Sequence, residues 1–415
     1  MIQQSAESLP KVLLKEDKTM RKMKKLAAFL LVVSMAFLLV GCGSAEDENK
    51  SAGNSEYRVA MITDSGDITD QSFNQTTYES CASYCSKSKI DFTYKKPDGD
   101  TDYARIAMID VAVAEGYNII VMPGYIFAPA LVEVTYKYPD VKFISLDMTA
   151  GDIIAAAVGN QYYDNPDAYE ASDYYNTGNT YCAVYQEEIP GYMAGYTAVK
   201  LGYRKLGYLG GQAVPSVMRF GYGYLQGIND AAKDLGVTGD VSVEYAYGGQ
   251  FYGSTEITAA MDTWYSKGTE IVFACGGGIF TSAAEAASKT GGKLIGVDSD
   301  QSPIIDAYGQ GMTVTSAMKG LGATIYAMLD SIIYLNTWEE HVGRIENLGL
   351  VSGTETELNY VSLPEDTTQW NEDFTVEDYY DLVRKIFDGE IEVSDSIDEL
   401  PDVSVQVNVR KGSIM

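Results

Sequence analysis

Asp64 closes an apolar run and is followed closely by Asp67, Asp70, Phe73 and Asn74. Carboxylates and an amide beside an aromatic ring suit noncovalent recognition of a neutral, hydroxyl-bearing ligand with a flat ring. The acids accept from hydroxyl and ring N–H groups while the aromatics cover the ring faces. The same mixture returns further along the chain, in Asp147, Gly210-Gly211, Gly248-Gly249-Gln250-Phe251, Gly276-Gly277-Gly278, Asp298-Ser299-Asp300 and Lys319. Glycine clusters let a ligand approach the backbone and serve equally as tight turns. The other residues also have ordinary alternative uses. Asp67 and Asp70 could cap a helix, Phe73 could be core, Asp298 could be a cap or hinge contact, and Lys319 could be a solvated charge opening a helix.

Covalent and metal chemistry find little support. His341 is the only histidine, which excludes Ser-His-Asp, Cys-His and multi-histidine metal designs. No GxxxxGK[ST] occurs, and Gly221-Tyr-Gly-Tyr-Leu-Gln-Gly227 misses the GxGxxG spacing, so it reads as helix packing. The Asp64, Asp67, Asp70 spacing is not that of an EF-hand loop. Paired carboxylates for glycosidic chemistry are not excluded, since an acidic chain always offers pairs. The chain is read as a binding protein rather than an enzyme, with no cofactor and no metal.

The address is written at the start. Arg21, Lys22, Lys24 and Lys25 precede the apolar stretch Leu26 to Val40, which leads into Leu39-Val40-Gly41-Cys42. A basic region, a short apolar core and small residues at the cut make residues 1–41 a signal peptide, too short for a confident membrane span. Residues 1–19 precede a natural-looking start at Met20 and are set aside. The polar stretch after Cys42 reads as a flexible tether through residue 56. Residues 1–41 carry seven Lys/Arg and three Asp/Glu, so removing them shifts the net charge from -28 to -32. Such acidity repels nucleic acid and anionic lipid, and favours a neutral or cationic small molecule.

The remaining length suggests two domains. From Tyr57, β-branched runs alternate with helical patterns, the sign of βαβ units and parallel sheets. Strands are expected at Arg58–Thr63, Asp91–Tyr94, Asn118–Met122, Lys142–Leu146 and Tyr181–Tyr185. A second series follows at Lys205–Leu209, Val241–Tyr247, Ile271–Ala274, Lys293–Val297 and Thr313–Thr315, with helices between and a helix from Lys319 to Leu335. Thr375-Val-Glu-Asp378 predicts a capping box opening a helix through Phe387. The reading gives two doubly wound lobes joined by a hinge. The first lobe takes 57–183 plus about 299–340 and the second 184–298, with 341–415 packing across both. Cys81, Cys85, Cys182 and Cys275 are read as buried thiols rather than disulfides.

These pieces carry a resemblance. Ile62-Thr-Asp-Ser-Gly66 with Asp70-Gln-Ser-Phe-Asn-Gln75, Gly116-Tyr-Asn-Ile-Ile-Val-Met-Pro-Gly124, Phe127-Ala-Pro-Ala-Leu131 and Gly191-Tyr-Met-Ala-Gly195 stand in order. Leu206-Gly-Tyr-Leu-Gly-Gly211, Gly296-Val-Asp-Ser-Asp-Gln301, Ser316-Ala-Met-Lys319 and Phe387-Asp-Gly-Glu-Ile-Glu-Val393 follow. From Tyr57 to about Val393 the chain resembles the basic membrane protein family, the Bmp/Med/PnrA-like substrate-binding lipoproteins of ABC transporters. The resemblance implies an α/β, type I periplasmic-binding-protein fold that captures a nucleoside, with purine favoured, and an ABC permease and ATPase as partners. It implies a monomer, lipidated at Cys42 and held on the extracytoplasmic face of the cell membrane. By motif, Asp64 and Asn74 are implied as polar contacts, Phe73 and Phe251 as aromatic walls, Asp298 and Lys319 as the ribose-binding pair, and Gly277 as backbone access. A ribose-like sugar or a ligand-sensing surface lipoprotein stands as the alternative.

Overall fold

The structure is a computed structural model that describes residues 56–64 and 66–415. The expected signal peptide, the lipidation site Cys42 and the tether up to residue 55 lie outside the described residues.

Two parallel sheets organise the chain. The first is built from β1 (Arg58–Ile62), α1 (Phe73–Ser88), β2 (Asp91–Lys95), α2 (Asp102–Ala114), β3 (Ile119–Pro123), α3 (Ala128–Lys137), β4 (Lys142–Leu146), α4 (Ala150–Val158) and β5 (Thr180–Tyr185). The second is built from α5 (Glu188–Lys200), β6 (Lys205–Gly210), α6 (Pro215–Leu235), β7 (Ser242–Tyr247), α7 (Thr255–Ser266), β8 (Ile271–Cys275), α8 (Phe280–Ser288), β9 (Lys293–Asp298) and β10 (Thr313–Lys319). Then come α9 (Leu321–Ile333), β11 (Ile345–Leu348), β12 (Val361–Ser362), α10 (Val376–Phe387) and β13 (Gln406–Val409). The strand orders are β2-β1-β3-β4-β5-β11 and β7-β6-β8-β9-β10, the latter flanked by β13 beside β7 and β12 beside β10. Only β12 runs antiparallel to its neighbour.

Strands buried on both faces read as continuous apolar runs, as in Ile-Ile-Val-Met of β3. Alternation still sorts the faces: Val59 and Met61 join a cluster that continues through Tyr185 and Tyr192 to Val243 and Phe273. Ala60 and Ile62 point to the other side of the sheet, with Phe143 and Leu131. Cys81, Cys85, Cys182 and Cys275 are buried free thiols.

The lobe assignment departs from expectation at one strand. β10 continues the second sheet, with Ser316 opposite Gly296 and Met318 opposite Asp298. Residues through Lys319 therefore belong to the second lobe, so the expected assignment of 299–340 to the first fails over 299–319. Lys319 ends a strand and does not open a helix. The chain crosses back at α9, where Tyr84 of α1 donates to Asp330 at 2.7 Å and Tyr326 donates to Ser83 at 3.0 Å. The chain thus passes between lobes three times: after β5, after β10, and between β11 and β12. These crossings bond to one another, Gln186 N to Leu348 O at 3.0 Å, Tyr360 N to Gly349 O at 3.0 Å and Gly320 N to Tyr360 O at 2.6 Å. The capping box at Thr375 forms as expected, Thr375 Oγ1 accepting from Asp378 N while Asp378 Oδ2 accepts from Thr375 N.

The two glycine-rich helices α5 and α6 explain Gly221 to Gly227. An added Cβ would lie 2.2 Å from Phe220 O at Gly191 and 2.3 Å from Tyr224 O at Gly195. Reciprocally it would lie 2.0 Å from Glu188 O at Gly223 and 2.0 Å from Tyr192 O at Gly227. Alanine inside a helix normally gains about 1 kcal/mol over glycine. Here the gain is outweighed by a backbone clash that forces the helices apart, at about 1–3 kcal/mol or more. Gly227→Ala is expected to lower the denaturation midpoint, whereas Gly239→Ala, with nothing within 4 Å of its Cβ, leaves it nearly unchanged.

Candidate ligand-binding site

Doubly wound sheets open a crevice beyond the carboxyl ends of the strands, where the strand order reverses. In the first sheet that point lies between β1 and β3, and in the second between β6 and β8. The two crevices share one cavity of about 820 Å³, lined among others by Asp64, Phe73, Asn74, Phe251, Gly277, Asp298 and Lys319. All seven residues singled out from the sequence border this space.

Asp64 follows β1 and accepts hydrogen bonds from Gly66 N and, at 3.0 Å, from Asn74 Nδ2. Burial pushes its pKa up to about 6, against the lowering effect of those two donors. Asp70 is the true cap of α1: it accepts from Ser72 N at 3.0 Å, Asn74 N at 2.9 Å and Gln75 N at 3.0 Å. Asp67 caps nothing and pairs with Lys96 at 2.6 Å. Because Asp70 serves the helix, the Ser72 hydroxyl is free to donate across the lobes to Asp298 Oδ2 at 2.5 Å. Asn74 Oδ1 and Asp147 Oδ1 are buried and accept nothing from the described residues.

Lys319 is the electrostatic centre. Its ammonium lies 2.6 Å from Asp147, 3.5 Å from Glu187 and 3.7 Å from Asp298, with the Phe73 ring centroid at 4.9 Å. Burial alone would lower its pKa, but the three carboxylates outweigh burial and raise it, so the lysine stays charged. Asp298 is pushed up to about 6 by burial, partly offset by Lys319 and Ser72. Glu187 shares its other oxygen with Arg219 at 2.7 Å, and Glu188 beside it is pushed up to about 7, chiefly by burial.

Phe251 lies on the turn after β7, against two glycines. A Cβ at Gly211 would sit 2.5 Å from its Cδ1 and one at Gly276 2.9 Å from it. Gly277, with φ +53, has room for no Cβ because the Phe251 carbonyl would be 2.7 Å away. The glycines expected to admit a ligand therefore make space for the Phe251 turn as well. Glu187 and Arg219 escaped the sequence reading. Glu187 was legible, since it follows strand Tyr181–Tyr185 and strand ends were where candidates were sought; Arg219 sits inside α6 and gave no signal.

The model of the Bmp family, described as ABC transporter substrate-binding protein PnrA-like, matches residues 57–396. The chain belongs to this family. Among its relatives is a CD4+ T-cell-stimulating antigen of Listeria innocua, 26% identical over 68% of this chain and 74% of the relative. The ABC transporter nucleoside-binding protein BmpA of Lactococcus lactis is 23% identical over 74% of this chain and 84% of that protein. In fold, an ABC transporter solute-binding protein from Conexibacter woesei superposes with a TM-score of 0.61 at 19% identity, covering 82% of this chain and 99% of that one. The Bmp architecture is the type I periplasmic-binding-protein fold, and the family's role is substrate binding for ABC transporters rather than catalysis.

A raised carboxyl pKa has a signed consequence for this Bmp protein. The folded state holds the Asp64 proton more tightly than the unfolded chain does, so Asp64 subtracts stability as pH rises from about 4 through about 6. Asp64→Asn removes that slope. In thermal melts its stability relative to the parent should increase by about 1–3 kcal/mol between pH 4 and pH 7.

Proposed function

We propose that this Bmp protein is a membrane-anchored lipoprotein that captures a nucleoside, purine in preference, between its lobes and delivers it to an ABC permease and its ATPase. The observation that carries the reading is the convergence of seven residues, from both lobes, on one cavity of about 820 Å³. A space of that size suits a single small ligand. Phe73 and Phe251 supply the aromatic faces for a base, Asp64 and Asn74 the polar contacts, and Asp298 with Lys319 the pair for ribose hydroxyls. Gly277 keeps the wall close to the ligand. The partnerless acceptors Asn74 Oδ1 and Asp147 Oδ1 favour a ligand rich in N–H and O–H donors. A phosphate would meet Asp147 and Asp298 around Lys319, which is already paired with both, and the other lining lysine, Lys96, is paired with Asp67, so nucleotides are disfavoured. The name of the Lactococcus relative points the same way.

Stacking on one aromatic side chain contributes about 1–3 kcal/mol and a hydrogen bond to a charged group about 1.5–3 kcal/mol. After ordering costs, this supports micromolar or tighter affinity. Anchoring rests on the Leu39-Val40-Gly41-Cys42 sequence, where the lipidated thiol would hold the monomeric receptor at the extracytoplasmic membrane face. A single acyl chain gives only marginal attachment, so stable anchoring would take a second chain or another membrane contact.

Calorimetry with the chain from Ser44 and a panel of nucleosides, bases, ribose and nucleotides should give heat with nucleosides and little with nucleotides. Heat from ribose alone, or from no nucleoside, overturns the reading. Phe251→Ala should weaken nucleoside binding by about tenfold or more, the equivalent of one lost stacking face. A variant that weakens ribose and nucleoside equally would remove Phe251 from the role of base wall.

A further inference from the structure

The Phe251 turn has two supports, and one comes from a part of the chain outside the Bmp match. The family model ends at residue 396. Beyond it, β13 adds an edge strand beside β7, with Gln406 opposite Ser242 and Val409 opposite Tyr245. Arg410 N donates to Tyr245 O at 2.9 Å, but the next bonds come only after an irregular step at Lys411 and Gly412. Ile414 N then donates to Tyr247 O at 2.9 Å and Met415 N to Gly248 O at 3.0 Å. Gly412 has φ +73, the left-handed turn that returns the chain to the sheet edge.

Ser413 also lies directly under the turn. A Cβ at Gly249, φ +89, would be 3.0 Å from Ser413 Cβ, and Ser254 Oγ, just past the turn, lies 3.3 Å from Met415 Sδ. From inside the sheet the turn is held by Gly248 N to Gly210 O at 2.7 Å and Gly249 N to Gly211 O at 3.0 Å. Gly249, Gln250, Phe251, Tyr252 and Gly253 all line the cavity. Residues 413–415 do not line it, but grip the outer edge of the segment that does.

We infer that residues Gly412–Met415 are a positioning element for the Phe251 wall, through which this chain sets the fit of its ligand. They touch the turn and not the cavity, so they act by limiting the conformations Phe251 can take before a ligand arrives. Preorganisation of this kind shows mainly as slower dissociation. The placement of the turn does not depend on ligand identity; the effect on affinity rests on the nucleoside reading.

The test compares the parent with a chain ending at Lys411 and with Ile414→Pro, which keeps the segment but deletes the donor to Tyr247 O together with the packing of the Ile414 side chain. Amide hydrogen exchange without ligand should be at least about tenfold faster at Gly248 to Gly253 in both variants, with β6 and β8 unchanged. Nucleoside affinity should fall about tenfold, through faster dissociation, and the same truncation in a Phe251→Leu background should change it less than about twofold. Unchanged exchange in the turn overturns the inference. So does acceleration spread evenly across the lobe, which marks a general loss of stability, or an affinity that survives the truncation. If the parent binds no nucleoside, the functional reading fails while the exchange data still decide whether the segment positions the turn.

Discussion

The structure turns on one buried positive charge. Lys319 stands at the end of β10, where the chain leaves the second lobe for the first, and its ammonium faces carboxylates from three places. Asp147 comes from the first lobe, Asp298 from the second and Glu187 from the crossing between them. Each of these groups would be costly to bury alone. Together they satisfy one another only when both lobes and the crossings are in place. Electrostatics at the junction therefore constrains the tertiary arrangement more tightly than apolar packing does, because apolar contacts tolerate small displacements and a charge held within hydrogen-bond distance does not. Asp147, Asp298 and Lys319 of this group also line the floor of the cavity, so the requirement for folding and the chemistry of the cavity share residues.

Around that floor, side chains are released from local duties by substitutes. Asp70 caps α1 in place of Ser72, and Ser72 in turn reaches Asp298 across the lobes. Gln301 does the same from the opposite side: its Oε1 accepts from Val297 N at 2.9 Å while its Nε2 donates to Gln71 O at 2.9 Å. Gln71 itself holds φ +59, a left-handed backbone that a residue with a Cβ adopts only when its neighbours fix it. The turn that presents Phe73 and Asn74 is thus set by second-lobe groups as much as by its own helix.

Much of this was legible in the sequence because parallel strands flanked by helices announce themselves by composition, and their ends must carry whatever the site needs. The strand series from β1 to β9 and the positions of Asp64, Phe251, Gly277 and Asp298 follow from that logic, the capping box at Thr375 from its own spacing, and the set of seven cavity residues from the family resemblance. What was not legible has physical causes. β11, β12 and β13 are short edge strands whose half-exposed residues give no clear alternation, so tertiary pairing alone defines them. The helices α4 and α8 are brief and alanine-rich, though Thr149 and Asp152 form a capping box that local inspection could have found. Lys319 looked like the start of a helix because a helix begins at Leu321, and only its pairing with Val361 of β12 shows that the strand claims it. Arg219 pairs with Glu187 across more than thirty positions, a distance at which sequence alone offers no pairing rule.

The three crossings between the lobes limit the mechanics of the molecule. A single connecting segment would let one lobe swivel freely about the other, and two would still allow a twist about the line joining them. Three segments that are hydrogen-bonded to each other, with the Gln186 side chain packed against Gly349, restrict the lobes more than one or two would. On the cavity's exposed side the two lobes meet at the Tyr125–Gln212 hydrogen bond, 3.5 Å long, which any parting of the lobes would have to break. The cavity is consequently bounded on one side by crossings tied to one another and on the other by a long, exposed hydrogen bond, so its two ends are held with unequal firmness.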